Sequence, residues 1–336
     1  MIDILCREVP RTQEKLPILG FGCMRFVEKN GSIDEERSKA LLRYAIDKGI
    51  THLDTAWMYH HGQSESFLGR ALADGYREKV TISTKLPHWL VKSREDMDFF
   101  LNTQLNRLNT NYIDYYLIHS IGRESWDRMK ACGVMEFLDT AKADGRIKHT
   151  GFSFHEDTKT FKEIVDAYPW DCCLIQYNII DEFSQAGREG LTYAAQKGLA
   201  VFIMEPLRGG KLARSPPGEI AHIWEQAPVK RTMAEWALRW LWDQPEITMV
   251  LSGMNDFAQV DENCRTAETA YPGSLTAEEQ SVIRRVSDTW HSLMKVPCTG
   301  CQYCMPCPFG VNIPSCFEMY NNLFMFGDTW RTNAVY

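Results

Sequence analysis

Asp34-Glu-Glu-Arg-Ser-Lys-Ala-Leu-Leu-Arg-Tyr-Ala-Ile-Asp-Lys48-Gly49-Ile-Thr51-His-Leu-Asp54-Thr55 contains one full turn of the pattern that decides the fold. Asp34–Lys48 reads as a helix that closes on a basic residue followed by glycine, the residue suited to the left-handed conformation after a helix end. Thr51–Thr55 then reads as a short strand. The same glycine stop recurs at Asp144-Gly145-Arg146 and Lys197-Gly198. From about residue 18 the rhythm repeats eight times, with strands at Ile18–Phe26, Thr51–Thr55, Val80–Leu86, Ile113–His119, Thr150–Phe154, Cys172–Tyr177, Ala200–Met204 and Thr248–Ser252. Helices are expected between them, at Arg94–Leu108, Glu124–Asp144, Glu156–Ala167, Gly187–Gln196 and Met233–Trp242. Strands alternating with helices require parallel pairing through right-handed crossovers. Eight such units close a (β/α)8 TIM barrel more readily than an open sheet. Residues 1–17 fall outside the count and read as a leading strand or hairpin able to plug the barrel bottom. Asp256–Arg265 and Thr276–Ser292 make two further helices, the second opened by the capping box Thr276-Ala-Glu-Glu279.

The composition agrees with a large buried core: 336 residues, 44% hydrophobic, with ten tryptophans. A net charge of −7 without a basic stretch argues against nucleic-acid and anionic-membrane partners. No apolar run approaches the roughly 20 residues of a membrane span. The start, Met1-Ile-Asp-Ile-Leu-Cys-Arg-Glu-Val9, carries acids where a secretory signal carries bases, so a cytoplasmic protein is expected. Of the eleven cysteines, Cys6, Cys23, Cys132, Cys172, Cys173 and Cys264 read as small core side chains in a reducing compartment.

The remaining cysteines are different. Cys298-Thr-Gly-Cys301-Gln-Tyr-Cys304-Met-Pro-Cys307-Pro308 places four thiols within ten residues. The spacing is close to the ferredoxin run C-x2-C-x2-C-x3-C-P, with the last gap one residue shorter. A zinc ribbon needs about 15–20 residues between its two C-x2-C knuckles, and none are present here. A 4Fe-4S cluster on Cys298, Cys301, Cys304 and Cys307 is therefore expected, with zinc or structural and disulfide cysteines as the alternatives. No second cysteine run precedes Tyr336, so Cys307 closes the cluster itself or its partner motif is missing; Cys316 is the weaker substitute. A boundary near 295 divides a barrel of residues 1–295 from a ferredoxin-like segment of residues 296–336. That segment is too short and proline-rich to build its own core.

In such barrels the chemistry sits where strands pass into the following loops. Strand two ends in His52-Leu-Asp54-Thr-Ala-Trp-Met-Tyr59, strand three in Ser83-Thr-Lys85 and strand four in Leu117-Ile-His119. An acid, a phenol, an amine and an imidazole thus ring one mouth. Reducing a carbonyl produces an oxyanion that needs a proton and hydrogen-bond donors. Tyr59 is the expected proton donor. Lys85 is expected to stabilise its tyrosinate and lower its pKa, Asp54 to hold Lys85 charged, and His119 to orient the substrate oxygen.

From Gly20-Phe-Gly-Cys-Met24 to about Ala267 the chain resembles the aldo-keto reductases. Its Asp54, Tyr59, Lys85 and His119 fall on that family's catalytic tetrad. Gly62-Gln-Ser-Glu65-x-x-Leu-Gly69, Tyr112-Ile-Asp-x-Tyr-Leu-Ile-His119 and Arg146-Ile-Lys-x-x-Gly151-Phe-Ser153 add to the likeness. With the cysteine run included it is similar to the subgroup fused to a ferredoxin-type segment. The resemblance implies hydride transfer between NADP(H) or NAD(H) and a small carbonyl or alcohol. It implies nicotinamide contacts from Ser153, Gln176 and the Met204-Glu-Pro-Leu207 segment, with Phe154 standing where the family has asparagine. It implies phosphate and adenosine contacts from Ser252, Gly253, Gln259, Glu262 and Asn263. Gln259 replaces the arginine that grips a 2′-phosphate, so the two nucleotides rank almost equally. The alternative function is a nucleotide-binding electron-transfer or redox-sensing subunit that partners a ferredoxin or flavoprotein, because a cluster accepts one electron and a hydride carries two.

Overall fold

The computed structural model describes residues 3–296, 298 and 304–327. Eight parallel strands close into a barrel in chain order: β1 (Leu19–Gly22), β2 (His52–Asp54), β3 (Thr81–Leu86), β4 (Ile113–Ile121), β5 (Ile147–Phe154), β6 (Cys172–Gln176), β7 (Ala200–Met204) and β8 (Met249–Ser252). Phe21 closes the ring, lying opposite Ser252 of β8 on one side and Leu53 of β2 on the other. The helices are α1 (Glu35–Asp47), α2 (Ser64–Ala71), α3 (Arg94–Leu108), α4 (Arg123–Ala131), α5 (Val134–Ala143), α6 (Thr158–Ala167), α7 (Gly187–Gln196), α8 (Gly218–Glu225), α9 (Met233–Trp242), α10 (Phe257–Ala267), α11 (Ala277–Leu293) and α12 (Ile313–Phe326). Among the described residues no helix is long and apolar enough to cross a membrane.

The opening stretch behaves as its sequence suggests. Asp34 caps α1 by accepting from the Arg37 amide at 3.2 Å, and Gly49 follows the helix with φ 103°. Other boundaries moved. The single helix expected over Glu124–Asp144 breaks in two, because Gly133 takes φ 75° between α4 and α5. The first strand is shorter than Ile18–Phe26 and is followed by a small hairpin, Glu28–Lys29 against Ser32–Ile33. α8 and α12 were not read from the sequence.

Alternation within the strands divides the core into two layers. Outward residues such as Ile82, Ile118, Phe152 and Ile175 meet the helices. Inward residues Tyr115, Leu117, Cys172, Leu174, Phe202, Met249 and Leu251 fill the barrel together with Val9 and Leu16. Those last two belong to the leading hairpin, Cys6–Glu8 paired with Lys15–Pro17, which plugs the barrel as expected. Cys23, Cys172, Cys173 and Cys264 are buried and half-buried Cys132 packs against the core, whereas Cys6 is exposed, so one of the six scattered cysteines is not a core side chain.

Gly69 shows how closely α2 must approach α3. A Cβ there would lie 2.3 Å from the Arg107 carbonyl oxygen and 3.0 Å from the Leu108 carbonyl carbon. Backbone cannot yield as a side-chain tip can, so Gly69→Ala must push the helices apart. It is expected to lower the unfolding free energy by about 2 kcal/mol or more, read from urea melts.

Candidate active site

Asp54 ends β2, Lys85 lies near the end of β3 and His119 near the end of β4. The register sets Asp54 beside Ser83 and Lys85 beside Leu117. Tyr59 opens the turn after β2. The four side chains expected from the sequence therefore meet at one mouth. Lys85 is buried, with Nζ donating to Asp54 Oδ1 at 2.9 Å, Asp54 Oδ2 at 2.7 Å and the Thr55 carbonyl at 2.7 Å. Tyr59 Oη lies farther off, 3.4 Å from the same Nζ. The Tyr59 ring stands edge-on to His119, centroids 6.1 Å apart, and Trp89 covers His119 at 5.3 Å.

Residues the sequence reading gave no role support this pair from behind. Ser83 donates to Asp54 Oδ1 at 2.6 Å. The fully buried His52 bridges Ser83, at 3.2 Å, and Thr81, at 2.9 Å. Buried Glu65 accepts from Thr84 at 2.7 Å and Gln104 at 2.6 Å and pairs with Arg107 at 3.1 Å. Gln104 in turn donates to the Lys85 carbonyl at 3.1 Å. Glu65 thus braces the strand that carries the lysine, a role visible in the sequence only as a motif position.

The electrostatics correct one expectation. Burial would depress the Lys85 pKa, but Asp54 and Tyr59 outweigh it and hold the ammonium above its usual range. Burial raises the Tyr59 pKa, and Lys85 offsets that only in part. The lysine was expected to pull the phenol down. Its shorter contacts go to Asp54 and Thr55, and the nearby carboxylate opposes its field. Tyr59 consequently keeps its proton. Burial, aided by Lys85, His155 and His88, lowers the His119 pKa to about 3, so its imidazole is neutral. His119 Nδ1 is buried and has no hydrogen-bond partner among the described residues.

The expected nicotinamide contacts lie on adjacent strand ends. Ser153 is buried and accepts from the Ser120 amide at 2.6 Å. Gln176 donates to Asp181 at 3.3 Å and accepts from Gln185 at 3.0 Å. Met204 is half-buried at the end of β7, and Leu207 is half-buried in the loop after it. Phe154 does not face the mouth. It is buried against Phe161 of α6, centroids 5.1 Å apart, which explains why an aromatic is accommodated at that position. At the far end Asn263 is buried and donates to Ser252 at 3.1 Å, Glu262 accepts from Thr232, and Gln259 accepts from the Asn255 amide at 2.9 Å.

One cation was missed. Arg25, on the loop after β1, lies across Gly253, where a Cβ would meet its Cγ at 2.7 Å; its Nη2 would lie 3.2 Å from a Cβ on Gly209. Only glycines leave room for that side chain to cross between the loops after β7 and β8. Arg208 has a buried Nη1 without a partner among the described residues. The amide and hydroxyl groups of Ser153, Gln176, Ser252 and Asn263, with the guanidinium groups of Arg25 and Arg208 on neighbouring loops, fit a nicotinamide dinucleotide.

Of the expected cluster ligands, Cys298 and Cys304 are exposed, Cys307 is half-buried and all three are free thiols; Cys301 lies outside the described residues. Among the described residues no three Cys, His, Asp or Glu side chains converge as a metal site. The donor set of soft, accessible thiols fits an iron–sulfur cluster in its chemistry.

His52 makes the barrel interior pH-sensitive. Its pKa is lowered from 6.5 to about 4, chiefly by burial. The unfolded chain therefore binds the extra proton first, and stability is full above about 6.5 and is lost as pH falls towards 4. Urea melts at pH 7.5 and pH 5 are expected to differ by about 2 kcal/mol from this residue, and His52→Asn should remove that slope.

The sequence profile of the Aldo/keto reductase family matches residues 18–284. An uncharacterized oxidoreductase of Bacillus subtilis, YqkF, is 26% identical over 292 residues, 78% of this chain and 89% of that protein. The methylglyoxal reductase YeaE of Escherichia coli is 29% identical over 215 residues, 62% of this chain and 72% of that protein. Among solved structures, the holo form of aldo-keto reductase AKR11C1 from Bacillus halodurans superposes with a TM-score of 0.71 at 26% identity, covering 84% of this chain and 96% of that one. The chain belongs to the aldo/keto reductase family.

Proposed function

We propose that this NAD(P)-dependent oxidoreductase reduces a small carbonyl compound to an alcohol, with Tyr59 as proton donor. The observation that carries the reading is the buried Lys85 ammonium held between Asp54 and Tyr59. When bound, the nicotinamide supplies the hydride. Tyr59 Oη–H then donates its proton to the developing alkoxide, and neutral His119 orients the substrate oxygen through its ring N–H. Lys85, kept charged by Asp54, stabilises the tyrosinate left behind. The phenol keeps its proton at neutral pH and is ready to donate it. Ser153 and Gln176 would hold the carboxamide, Met204 and Leu207 the nicotinamide face, and Ser252, Gly253, Gln259, Glu262 and Asn263 the phosphate and adenosine end. Either NADP(H) or NAD(H) serves, because Gln259 brings no charge to a 2′-phosphate. The assembled tetrad favours this enzyme over an electron-transfer subunit. Tyr59→Phe is expected to lower aldehyde reduction by at least about a hundredfold, with nucleotide affinity retained in fluorescence titrations. Full activity in that variant removes the mechanism.

Residues 296–336 form the second part of the reading, an iron–sulfur segment on a barrel of residues 1–295 in a cytoplasmic protein. Cys298, Cys301, Cys304 and Cys307 would hold an accessory 4Fe-4S cluster that exchanges electrons with a ferredoxin or flavoprotein. The family profile ends at residue 284, so the barrel likeness neither requires nor opposes it. Protein purified without air should contain iron and sulfide and absorb broadly near 400 nm, and Cys304→Ser should lose that absorbance yet keep a cooperative melt. Stoichiometric zinc without sulfide contradicts the assignment.

A further inference from the structure

The C-terminal helix ends against the loop that follows β7. Phe326, the last residue of α12, lies 4.6 Å from the Trp290 ring of α11. The Arg208 guanidinium sits 5.4 Å from the Phe326 ring centroid and the Lys211 ammonium 5.3 Å from it. Beside it, Met325 is fully buried in a cluster with Leu212 of the same loop and with Ile179 and Ile180 after β6. Asn321 fastens the approach to the cysteine run: its side chain accepts from the Lys295 and Val296 amides at 3.0 and 2.9 Å and donates to the Val296 carbonyl at 2.7 Å. The chain is thereby tied to α12 two residues before Cys298.

The loop needs such support. Glu205, Arg208, Gly209 and Gly210 all take positive φ, of 55°, 49°, 65° and 87°. Two of these are not glycines, so neighbouring contacts must hold the conformation. Arg208 is held from two sides. Its Nε lies 3.6 Å from Asp181, and Phe326 receives its cationic face. Asp181 also accepts from Gln176, which joins the nicotinamide end of the mouth to the same network. The result is a guanidinium fixed at its root with one buried nitrogen, Nη1, unused among the described residues.

We propose that Phe326 is a positioning residue of the nucleotide site: it holds Arg208 ready for an anionic phosphate, and so links cofactor affinity to the cysteine-rich segment. This rests on the reading of the mouth as a dinucleotide site. An exposed arginine samples many rotamers, whereas one packed on an aromatic face loses less freedom when a phosphate arrives. The helix that supplies the ring is anchored by the same residues that anchor the approach to the cysteines. Disturbing that segment should therefore be felt at the loop.

The test uses the full chain, purified without air, with NADPH and NADH titrated by fluorescence quenching. Phe326→Ala is expected to weaken both nucleotides about tenfold, raising the apparent KM for nucleotide more than it lowers kcat. Phe326→Tyr should restore affinity to within about twofold. Because a truncated helix end can also loosen the fold, a double-mutant cycle separates the two effects. If Phe326 acts through the guanidinium, Phe326→Ala added to Arg208→Met should cost little beyond Arg208→Met alone. Additive losses, or unchanged affinity in Phe326→Ala while wild type binds, overturn the proposal and leave the dinucleotide site standing. Wild type that binds neither nucleotide overturns both.

Discussion

A lysine ammonium sealed beneath the barrel mouth is the constraint from which the rest of the site follows. Removing one charge from water costs several kcal/mol, and a buried pair is tolerated only when its remaining hydrogen-bonding capacity is met. Here the Lys85 ammonium is fully engaged, by both oxygens of Asp54, the Thr55 carbonyl and, at longer range, Tyr59 Oη. Asp54 is itself completed by Ser83, and Ser83 by His52. The polar chain runs from the barrel interior to the mouth, and its last contact, to Tyr59, is its longest. That order gives the phenol a nearby cation without a strong bond to it. The proton stays on oxygen until a developing alkoxide offers a better place.

Much of this was legible in the sequence because barrels separate structural from chemical positions along each strand. The eight-unit rhythm, the glycine after α1 and the placement of Asp54, Lys85 and His119 on successive strand ends locate the mouth before any coordinates do. Which groups stand behind the tetrad was not legible. Ser83 and His52 are ordinary residues in an alternating strand, and only the register, with Asp54 opposite Ser83, makes them partners. Phe154 shows the opposite limit. A substitution in a binding motif reads as a softened site, yet the ring has turned into the helix layer, where Phe161 receives it. Arg25 was missed because its reach depends on two glycines, Gly209 and Gly253, that are far apart in the chain. The direction of the Tyr59 pKa is set first by burial, which outweighs Lys85 and which no spacing reveals.

The C-terminal segment belongs to the same physical account. Too small for a core of its own, it borrows one: Met325 enters the cluster formed by α8, α9 and α11, and Asn321 ties the chain down just before the first cysteine. Its last helix docks beside the loop after β7, at the barrel end that carries the tetrad. The identity of the species transferred at the mouth is therefore the central question.

Deuterium transfer answers it most directly. In a single anaerobic turnover, 4-deuterated reduced nicotinamide is mixed with the protein and a panel of small aldehydes, and the alcohol is examined by mass spectrometry. Direct hydride transfer at the Asp54–Lys85–Tyr59–His119 mouth predicts one deuterium on the carbinol carbon from one face of the nicotinamide. Nucleotide oxidation without deuterated alcohol, its electrons recovered on an added one-electron acceptor instead, would contradict the account.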